Sequence, residues 1–168
     1  SSYKNLSNTA HFYQLVQGDM AVKLLVNQLQ NQASVCFDTE TTGINTLHAE
    51  LVGLSFSFEK GKGFYVPCPD NREATISILE KLKPFFNSTS ILKIGQNLKY
   101  DTKVLQQYGT SVQAPMFDTM IAHYLINPDM RHNMDVLAET YLKYQPVSIT
   151  ELIGKKGKNQ GNMQEVAL

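Results

Sequence analysis

Two acidic residues separated by one threonine follow a short apolar segment of this chain. Residues 34–37, Ser-Val-Cys-Phe, have the pattern of a buried strand, and residues 38–41 read Asp-Thr-Glu-Thr. Because residues two apart on a strand point to the same face, Asp38 and Glu40 are expected to project together. Folding alone gives no reason to place two like charges side by side. Carboxylate oxygens are the ligands that Mg²⁺ and Mn²⁺ prefer, so the pair predicts a divalent-metal site. The plainer alternative is that Asp38 caps a turn and Glu40 starts a solvated loop.

A third carboxylate lies in a second polar segment. Residues 95–101, Gly-Gln-Asn-Leu-Lys-Tyr-Asp, follow an expected strand at 91–94 and open a helix in which Asn97 is the expected N-cap. Asp101 then lies one turn into the helix, near its positive end, where a carboxylate is favoured. It either neutralises the helix dipole or acts as a third metal ligand that faces Asp38 and Glu40. The spacing leaves both interpretations open.

The elements expected around these residues form a mixed α/β sandwich, because strands joined by turns give way to strands alternating with helices. Asp19 is expected to cap the first helix, and Pro84 leaves the end of the second one open. Strands are expected at 34–38, 51–58, 64–66 and 91–94. Helices are expected at 19–30, 73–86, 98–108, 118–126 and 135–142, with a further short element at 149–153.

The composition narrows the class of protein. The chain has 168 residues, which suits one domain with a sizeable core. Its 15 basic and 15 acidic residues cancel, which excludes a strongly basic nucleic-acid binder but not a local groove for a few nucleotides. We expect no membrane span and no secretory signal. The two cysteines, Cys36 and Cys68, lack metal-ligand spacing and fit a reducing cytoplasm.

Five polar motifs occur in an order that resembles a known family. They are Asp-Thr-Glu-Thr at 38–41, Gly-Gln-Asn-Leu-Lys-Tyr-Asp at 95–101, Phe-Asp-Thr-Met at 117–120, Arg-His-Asn-Met-Asp at 131–135 and Gly-Lys-Lys-Gly-Lys-Asn-Gln at 154–160. This pattern resembles the 3′→5′ proofreading exonuclease domain of bacterial family A DNA polymerases (DNA polymerase I), a member of the DEDD-type exonuclease superfamily. The second and last motifs are specific, whereas Asp-Thr-Glu alone occurs in many DEDD-type exonucleases.

The resemblance implies a fold and a reaction. The implied fold is α/β, an RNase H-like mixed β-sheet flanked by helices. The implied reaction is hydrolysis of the 3′-terminal phosphodiester of DNA with two Mg²⁺ or Mn²⁺ ions. By position, Asp38 and Glu40 match the first-motif ligands and Asp101 matches the second-motif ligand, and Glu40 is also expected to orient the attacking water.

The resemblance also implies residues that hold the single strand. Ile44 resembles the apolar wedge beside the terminal base, although an ordinary packed loop residue is the alternative. Tyr100 is expected either to stack on a base, which does not read base identity, or to be a half-buried helix residue. Besides Ile44 and Tyr100, four further residues are expected to bind the substrate: Thr39, Thr41, Gln96 and Asn97.

Other polar residues of the motifs are expected to have ordinary roles. Asp118 precedes a helix and is interpreted as its N-cap and not as a ligand. His123 is expected to pack or to lie on the surface, and Arg131 and His132 to be solvated in a loop. The basic tail either touches DNA or is a solvated turn, and its lysines are Lys155, Lys156 and Lys158.

The third family motif, Tyr-x-x-x-Asp, does not occur in this sequence. Tyr141 and Tyr144 are followed four residues later by Gln145 and Ser148. We therefore expect residues 1–168 to be a single exonuclease domain, a C-terminally truncated fragment of a longer polymerase that is inactive alone. The expected partners are a single-stranded DNA 3′ end and the polymerase domain of the same parent chain, and the fragment is expected to be a monomer in the bacterial cytoplasm.

Two other functions compete with this one. The first is an RNase D-like or helicase-associated 3′→5′ exonuclease, which a comparison of DNA and RNA substrates distinguishes. The second is a catalytically silent structural module of a polymerase, against which the retained carboxylates argue.

Overall fold

A six-stranded mixed sheet forms the centre of the molecule. The computed structural model describes residues 3–154, 160–161 and 163–166. The strands lie in the order β1-β4-β3-β2-β5-β6. Their bounds are Phe12–Leu15 (β1), Ser34–Thr41 (β2), Leu51–Ser57 (β3), Lys62–Pro67 (β4), Leu92–Gly95 (β5) and Met116–Asp118 (β6).

The described part of the chain also contains six α-helices. Their bounds are Asp19–Gln30 (α1), Arg72–Phe86 (α2), Leu98–Gln107 (α3), Thr119–Ile126 (α4), Met134–Leu137 (α5) and Ile149–Ile153 (α6). A π-helical segment, Ala138–Leu142, continues α5, and a 3₁₀ turn lies at Met163–Glu165. Within the part of the chain that the structure describes, none of these helices has the length and apolarity that crossing a membrane requires.

Strand β2 is central because it pairs on both sides. It runs antiparallel to β3 and parallel to β5, and the register sets Asp38 across from Ser55 and Glu40 across from Gly53. The register shifts between Glu40 and Thr41, which ends the regular pairing just after the acidic pair. Both acidic residues therefore sit on an interior strand of the sheet, near the end where the chain leaves it.

One face of the sheet is covered by α1 and α2 and holds the core. Phe37 from β2 and Phe56 from β3 meet Phe85 and Phe86 from α2, and the rings of Phe37 and Phe86 are edge to face with centroids 5.4 Å apart. All four rings are buried. Edge-to-face aromatic pairs add about 0.5–1.5 kcal/mol each beyond the area they bury, so this cluster fixes α2 against the middle of the sheet.

The other face of the sheet carries the polar residues of β2. Burial along β2 alternates: Val35, Phe37 and Thr39 are buried, while Cys36 is exposed. Asp38 lies on the same side as Cys36 because the side-chain period of a strand is two. The strand predicted at 34–38 is confirmed, but it is buried on one face only, so the prediction that Cys36 lies in the core is wrong.

The helix and strand predictions were right for most elements and wrong at four places. Strands β1 and β6 were not predicted, because β1 is exposed at an edge of the sheet and β6 has only three residues. Asp19 is the first residue of α1 and pairs with Lys81 at 2.9 Å, and Gly18 holds the N-cap position. The end of α2, which Pro84 had left open, lies at Phe86 as the predicted range 73–86 has it, so that prediction is confirmed. The helix predicted at 135–142 divides into α5 and the π-helical segment.

Removing one ring of the aromatic cluster should destabilise the fold. Phe86→Ala is expected to lower the free energy of unfolding by about 3–5 kcal/mol, because its buried ring would leave a cavity between the sheet and α2. Urea denaturation measures the change. Leu24→Ala, at an exposed position of α1, is the control and should change the free energy by less than about 0.5 kcal/mol. A similar small loss in both variants would show that the cluster does not hold the fold.

Candidate active site

Asp38 and Glu40 lie on one face of β2, where burial and nearby negative charge make ionisation of each carboxyl costly. The pKa of Asp38 is raised to about 7, first by burial and then by the charges of Asp101 and Glu40. The pKa of Glu40 is also raised, by burial and by the charge of Asp101. A carboxylate that keeps its proton near neutral pH is expected where anions crowd in a partly dry site.

Asp101 is brought to this pair by α3. It is only 2% exposed, and its Oδ1 accepts hydrogen bonds from the backbone N–H of Thr39 at 3.0 Å and from the Thr39 hydroxyl at 2.6 Å. Burial raises the pKa of Asp101, while the Thr39 hydrogen bonds act in the opposite direction. The dipole-neutralising role considered above does not account for this geometry, because the carboxylate is directed at the middle of the 38–41 motif.

The start of α3 is capped by a residue from another strand. Asn97 holds the predicted N-cap position, but its backbone is left-handed, with φ 63°, and its side chain makes no cap hydrogen bond. Asp118 Oδ1 accepts from the N–H of Asn97 at 3.1 Å, and Oδ2 accepts from the N–H of Leu98 at 2.8 Å. The prediction that Asn97 caps the helix through its side chain is therefore wrong. The prediction that Asp118 caps α4 is confirmed, because it also accepts from Met120 and Ile121.

The loop after β2 is tied to α3 by a tyrosine. The hydroxyl of Tyr100 donates to the carbonyl oxygen of Gly43 and lies 2.6 Å from the hydroxyl of Thr41. Its ring is partly buried against the core. Ile44 follows directly and is 94% exposed, so it is not a packed loop residue. The loop thus presents an apolar side chain beside the acidic site.

Gln96 lies between the acidic site and a pair of histidines. Its Oε1 accepts from the hydroxyl of Thr119, and its Nε2 donates to the carbonyl oxygen of His132. His123 is 5% exposed, and its Nδ1 lies 2.7 Å from Nδ1 of His132, while its Nε2 lies 3.1 Å from the Tyr141 hydroxyl. His123 is therefore packed inside the protein, which confirms one of the two predicted alternatives. His132 is not simply solvated, as had been predicted, because the helix brings His123 against it.

Tyr65 was missed by the sequence analysis. It lies on β4, and a Cβ atom added at Gly53 would meet its hydroxyl oxygen at 2.1 Å. Gly53 pairs with Glu40, so the missing side chain leaves room for the phenol close to that carboxylate. Burial and the charge of Glu40 raise the pKa of Tyr65 to about 12. Only the register of three strands reveals this neighbour, and the local sequence pattern does not.

An apolar cavity of about 540 Å³ opens beside Asp38 on the same side of the sheet. Its polar lining includes Gln96, Thr119 and His123, and its apolar lining comes largely from β6, α4 and the π-helical segment. The tail lysines Lys155, Lys156 and Lys158 lie outside the described residues, so the alternatives given for them are not decided. The cavity gives the acidic site an apolar wall on one side.

The donor set fits a hard divalent cation in its chemistry. Asp38, Glu40 and Asp101 offer only carboxylate oxygens, and burial is the first cause of the raised pKa of each. The charge of Asp101 raises the pKa of Asp38 and of Glu40 further. In residues 3–154, 160–161 and 163–166, no group of three or more such side chains is already arranged around one common ion position. Oδ1 of Asp101 accepts two hydrogen bonds from Thr39.

The sequence matches a family of nucleases over almost its whole length. The model for the 3′-5′ exonuclease family matches residues 13–165. DNA polymerase I of Borreliella burgdorferi is 36% identical over 134 residues, which are 78% of this chain and 15% of that protein. DNA polymerase I of Pseudomonas aeruginosa is 31% identical over 166 residues, which are 93% of this chain and 18% of that protein. The chain spans less than a fifth of the length of these two relatives.

Solved structures with the same fold include an exoribonuclease. The catalytic core of RRP6 from Trypanosoma brucei superposes with a TM-score of 0.68 at 20% identity, over 93% of this chain and 40% of that one. RNase D of Escherichia coli superposes with a TM-score of 0.62 at 22% identity, over 77% of this chain and 33% of that one. Brucella melitensis NrnC with bound Mg²⁺ has a TM-score of 0.63 at 25% identity, over 83% of this chain and 64% of that one. The RNase H-like fold predicted from the resemblance is confirmed.

The family match, the polymerase relatives and the fold agree with the motif order. The chain belongs to the 3′-5′ exonuclease family, in the form that occurs as a domain of DNA polymerase I.

Proposed function

We propose that this domain removes nucleotides from the 3′ end of single-stranded DNA, with Asp38, Glu40 and Asp101 as its metal ligands. The observation that supports this most is the convergence of the three carboxylates from β2 and α3: burial raises the pKa of each, and the charge of Asp101 raises those of Asp38 and Glu40 further. Such an arrangement costs stability unless a cation neutralises it. Divalent ions bound there supply activation of water and neutralisation of charge on the phosphate.

The reaction is a hydrolysis without a covalent intermediate. Water adds to the phosphorus of the terminal nucleotide, the bond from phosphorus to the 3′ oxygen breaks, and that oxygen takes up a proton. The products are a nucleoside 5′-monophosphate and a strand shortened by one residue. Glu40 accepts a hydrogen bond from the attacking water and orients it, since its carboxylate lies two residues from Asp38 on one face of β2. Thr39 holds Asp101 through two hydrogen bonds.

The residues around the site hold the strand without reading its sequence. The exposed Ile44 acts as an apolar wedge at the terminal base, and Tyr100 fixes its loop through the Gly43 carbonyl oxygen. Asn97 offers its side-chain amide beside the strand, whereas the polar groups of Gln96 and Thr41 are held by partners within the protein and shape the path of the strand. The hydroxyl of Tyr100 is hydrogen-bonded within the protein, so only the exposed part of its ring is left to stack on a base.

The domain works as part of a longer polypeptide in this proposal. The relatives named above are DNA polymerases of which the chain matches less than a fifth, so a polymerase domain of the same polypeptide supplies the frayed 3′ end. The site of action is the bacterial cytoplasm. A fourth carboxylate and a tyrosine, from a Tyr-x-x-x-Asp segment, complete the metal site, and no such pattern occurs in residues 1–168.

The activity test compares the 168-residue chain with a fusion in which it is continued by the Tyr-x-x-x-Asp segment of a family relative. The fusion should release 5′-mononucleotides from 5′-labelled single-stranded DNA in Mg²⁺ or Mn²⁺, about 10²-fold or more faster than the chain alone, because a misplaced ion costs at least that much. Asp101→Asn should abolish the activity of the fusion. Asp129→Asn, at an exposed aspartate, is the matched control and should retain it.

Three outcomes of this test carry information. A fusion that binds Mn²⁺ but stays inactive would favour the structural module over the enzyme. Faster digestion of an RNA 3′ end than of a DNA 3′ end would favour the RNase D-like alternative. Brisk, EDTA-sensitive digestion by the chain alone would show that three carboxylates suffice.

A second prediction concerns stability without metal. In EDTA, the free energy of unfolding should fall as the pH rises through about 7, because the folded chain holds a proton on Asp38 up to that pH while the unfolded chain loses it near 3.8. Asp38→Asn cannot ionise and should make this fall shallower. Urea denaturation between about pH 5 and pH 8 measures it. Asp129→Asn is the control and should keep the wild-type dependence of the free energy of unfolding on pH. If that free energy still fell steeply in Asp38→Asn, ionisation of Asp38 would not be the cause of the fall.

A further inference from the structure

We propose that Asp118 is the positioning residue of the acidic site, and that it acts through Asp101. It is not one of the three proposed ligands, and the sequence analysis gave it only the capping of its own helix. The effect on metal binding rests on the proposed function, because Asp101 is one of the metal ligands proposed there. The structural part of the inference rests on hydrogen bonds that need no metal.

One carboxylate joins the first turns of two helices. Asp118 Oδ1 accepts from the backbone N–H groups of Asn97, Met120 and Ile121, at 3.1, 2.9 and 3.3 Å. Its Oδ2 accepts from the N–H of Leu98 at 2.8 Å. An N-cap residue ordinarily satisfies one or two such groups of its own helix, whereas Asp118 serves α3 and α4 at once. The two helices are therefore fixed relative to each other at their starts.

Helix α3 depends on this outside cap because of its own first residues. Asn97 has φ 63°, and its side chain makes no cap hydrogen bond. The parallel pairing of β5 with β6 sets Asp118 beside Gly95, directly before the turn into α3. The N–H groups of Asn97 and Leu98 then meet the carboxylate of Asp118. The side-chain amide of Asn97 is left for the strand path that the proposed function assigns to it.

The consequence reaches Asp101 within one turn of helix. Asp101 follows Leu98 by three residues, and it must hold two hydrogen bonds to Thr39 at 3.0 and 2.6 Å. Outer partners that orient a metal ligand are worth about 10- to 100-fold in metal affinity. Because both oxygens of Asp118 already accept N–H groups, it is engaged as a support and not as a ligand.

Two substitutions separate the two capping roles and are matched in charge. Asp118→Ser removes the charge but keeps an oxygen that can cap α4, since serine is a favoured N-cap, and it is too short to serve α3. Asp118→Asn removes the same charge but keeps the length and the Oδ1 acceptor. The control is Asn71→Ala, which removes an ordinary N-cap, because Asn71 accepts only from Ala74 at 2.9 Å at the start of α2.

The first measurement is amide hydrogen exchange by NMR on the metal-free 168-residue chain. Asp118→Ser should speed exchange of the Thr39 and Leu98 amides by about tenfold or more, because Asp101 and the start of α3 lose their fixed position. Asp118→Asn should have a smaller effect at both amides. Asn71→Ala should lower the melting temperature without changing exchange at Thr39.

The second measurement is titration with Mn²⁺. Asp118→Ser should weaken binding by about tenfold or more and Asp118→Asn by less, while Asn71→Ala should bind as the wild type does. Unchanged exchange at Thr39 in Asp118→Ser would overturn the proposal, whatever its melting temperature. So would loss of Mn²⁺ binding in Asp118→Asn as complete as in Asp101→Asn, because Asp118 would then be a ligand. If the fusion that carries the Tyr-x-x-x-Asp segment bound no Mn²⁺, the proposed function would be refuted, and the exchange data would still decide the role of Asp118.

Discussion

The attachment of Asp101 to Thr39 is the interaction on which the acidic site depends. Asp38 and Glu40 share a face of β2 by the period of the strand alone, but the third carboxylate arrives from a helix 62 residues away along the chain. Three like charges at one place repel, and after burial it is the charge of Asp101 that most raises the pKa of Asp38 and of Glu40. The two hydrogen bonds from Thr39 hold Asp101 against that repulsion, and the buried alternate face of β2 holds Thr39 itself.

The remaining architecture can be understood as support for this attachment. The aromatic cluster fixes β2 and β3 against α2 on one side of the sheet, so that strain on the acidic side does not shift the strand. Strand β6 brings Asp118 to the start of α3. The core therefore does more than stabilise the fold, because it supplies the rigid strand against which an unfavourable cluster of charges is assembled. This separation, with apolar packing on one face and chemistry on the other, follows from the alternation of side chains along β2.

Local periodicity predicted one part of the site and long-range pairing decided the rest. The common face of Asp38 and Glu40 and the capping of α4 by Asp118 follow from patterns of a few residues. The strand order, by contrast, depends on which edges meet, and neither β1 nor β6 has an alternation that marks it as a strand. The closeness of Tyr65 to Glu40 needs the register of β2, β3 and β4 together with the missing side chain at Gly53. No window of the sequence contains that information.

Under the proposed function, recognition of DNA is local, since the chain has no net charge with which to attract a polyanion at a distance. Affinity for a strand would then come from groups at the site itself, namely the carboxylates with bound cations, the exposed Ile44 and the amide of Asn97. These groups respond to the position of a phosphate and of a terminal base and not to base identity. The proposal therefore makes the action of the three carboxylates conditional on a cation and on a 3′ end that is already single-stranded.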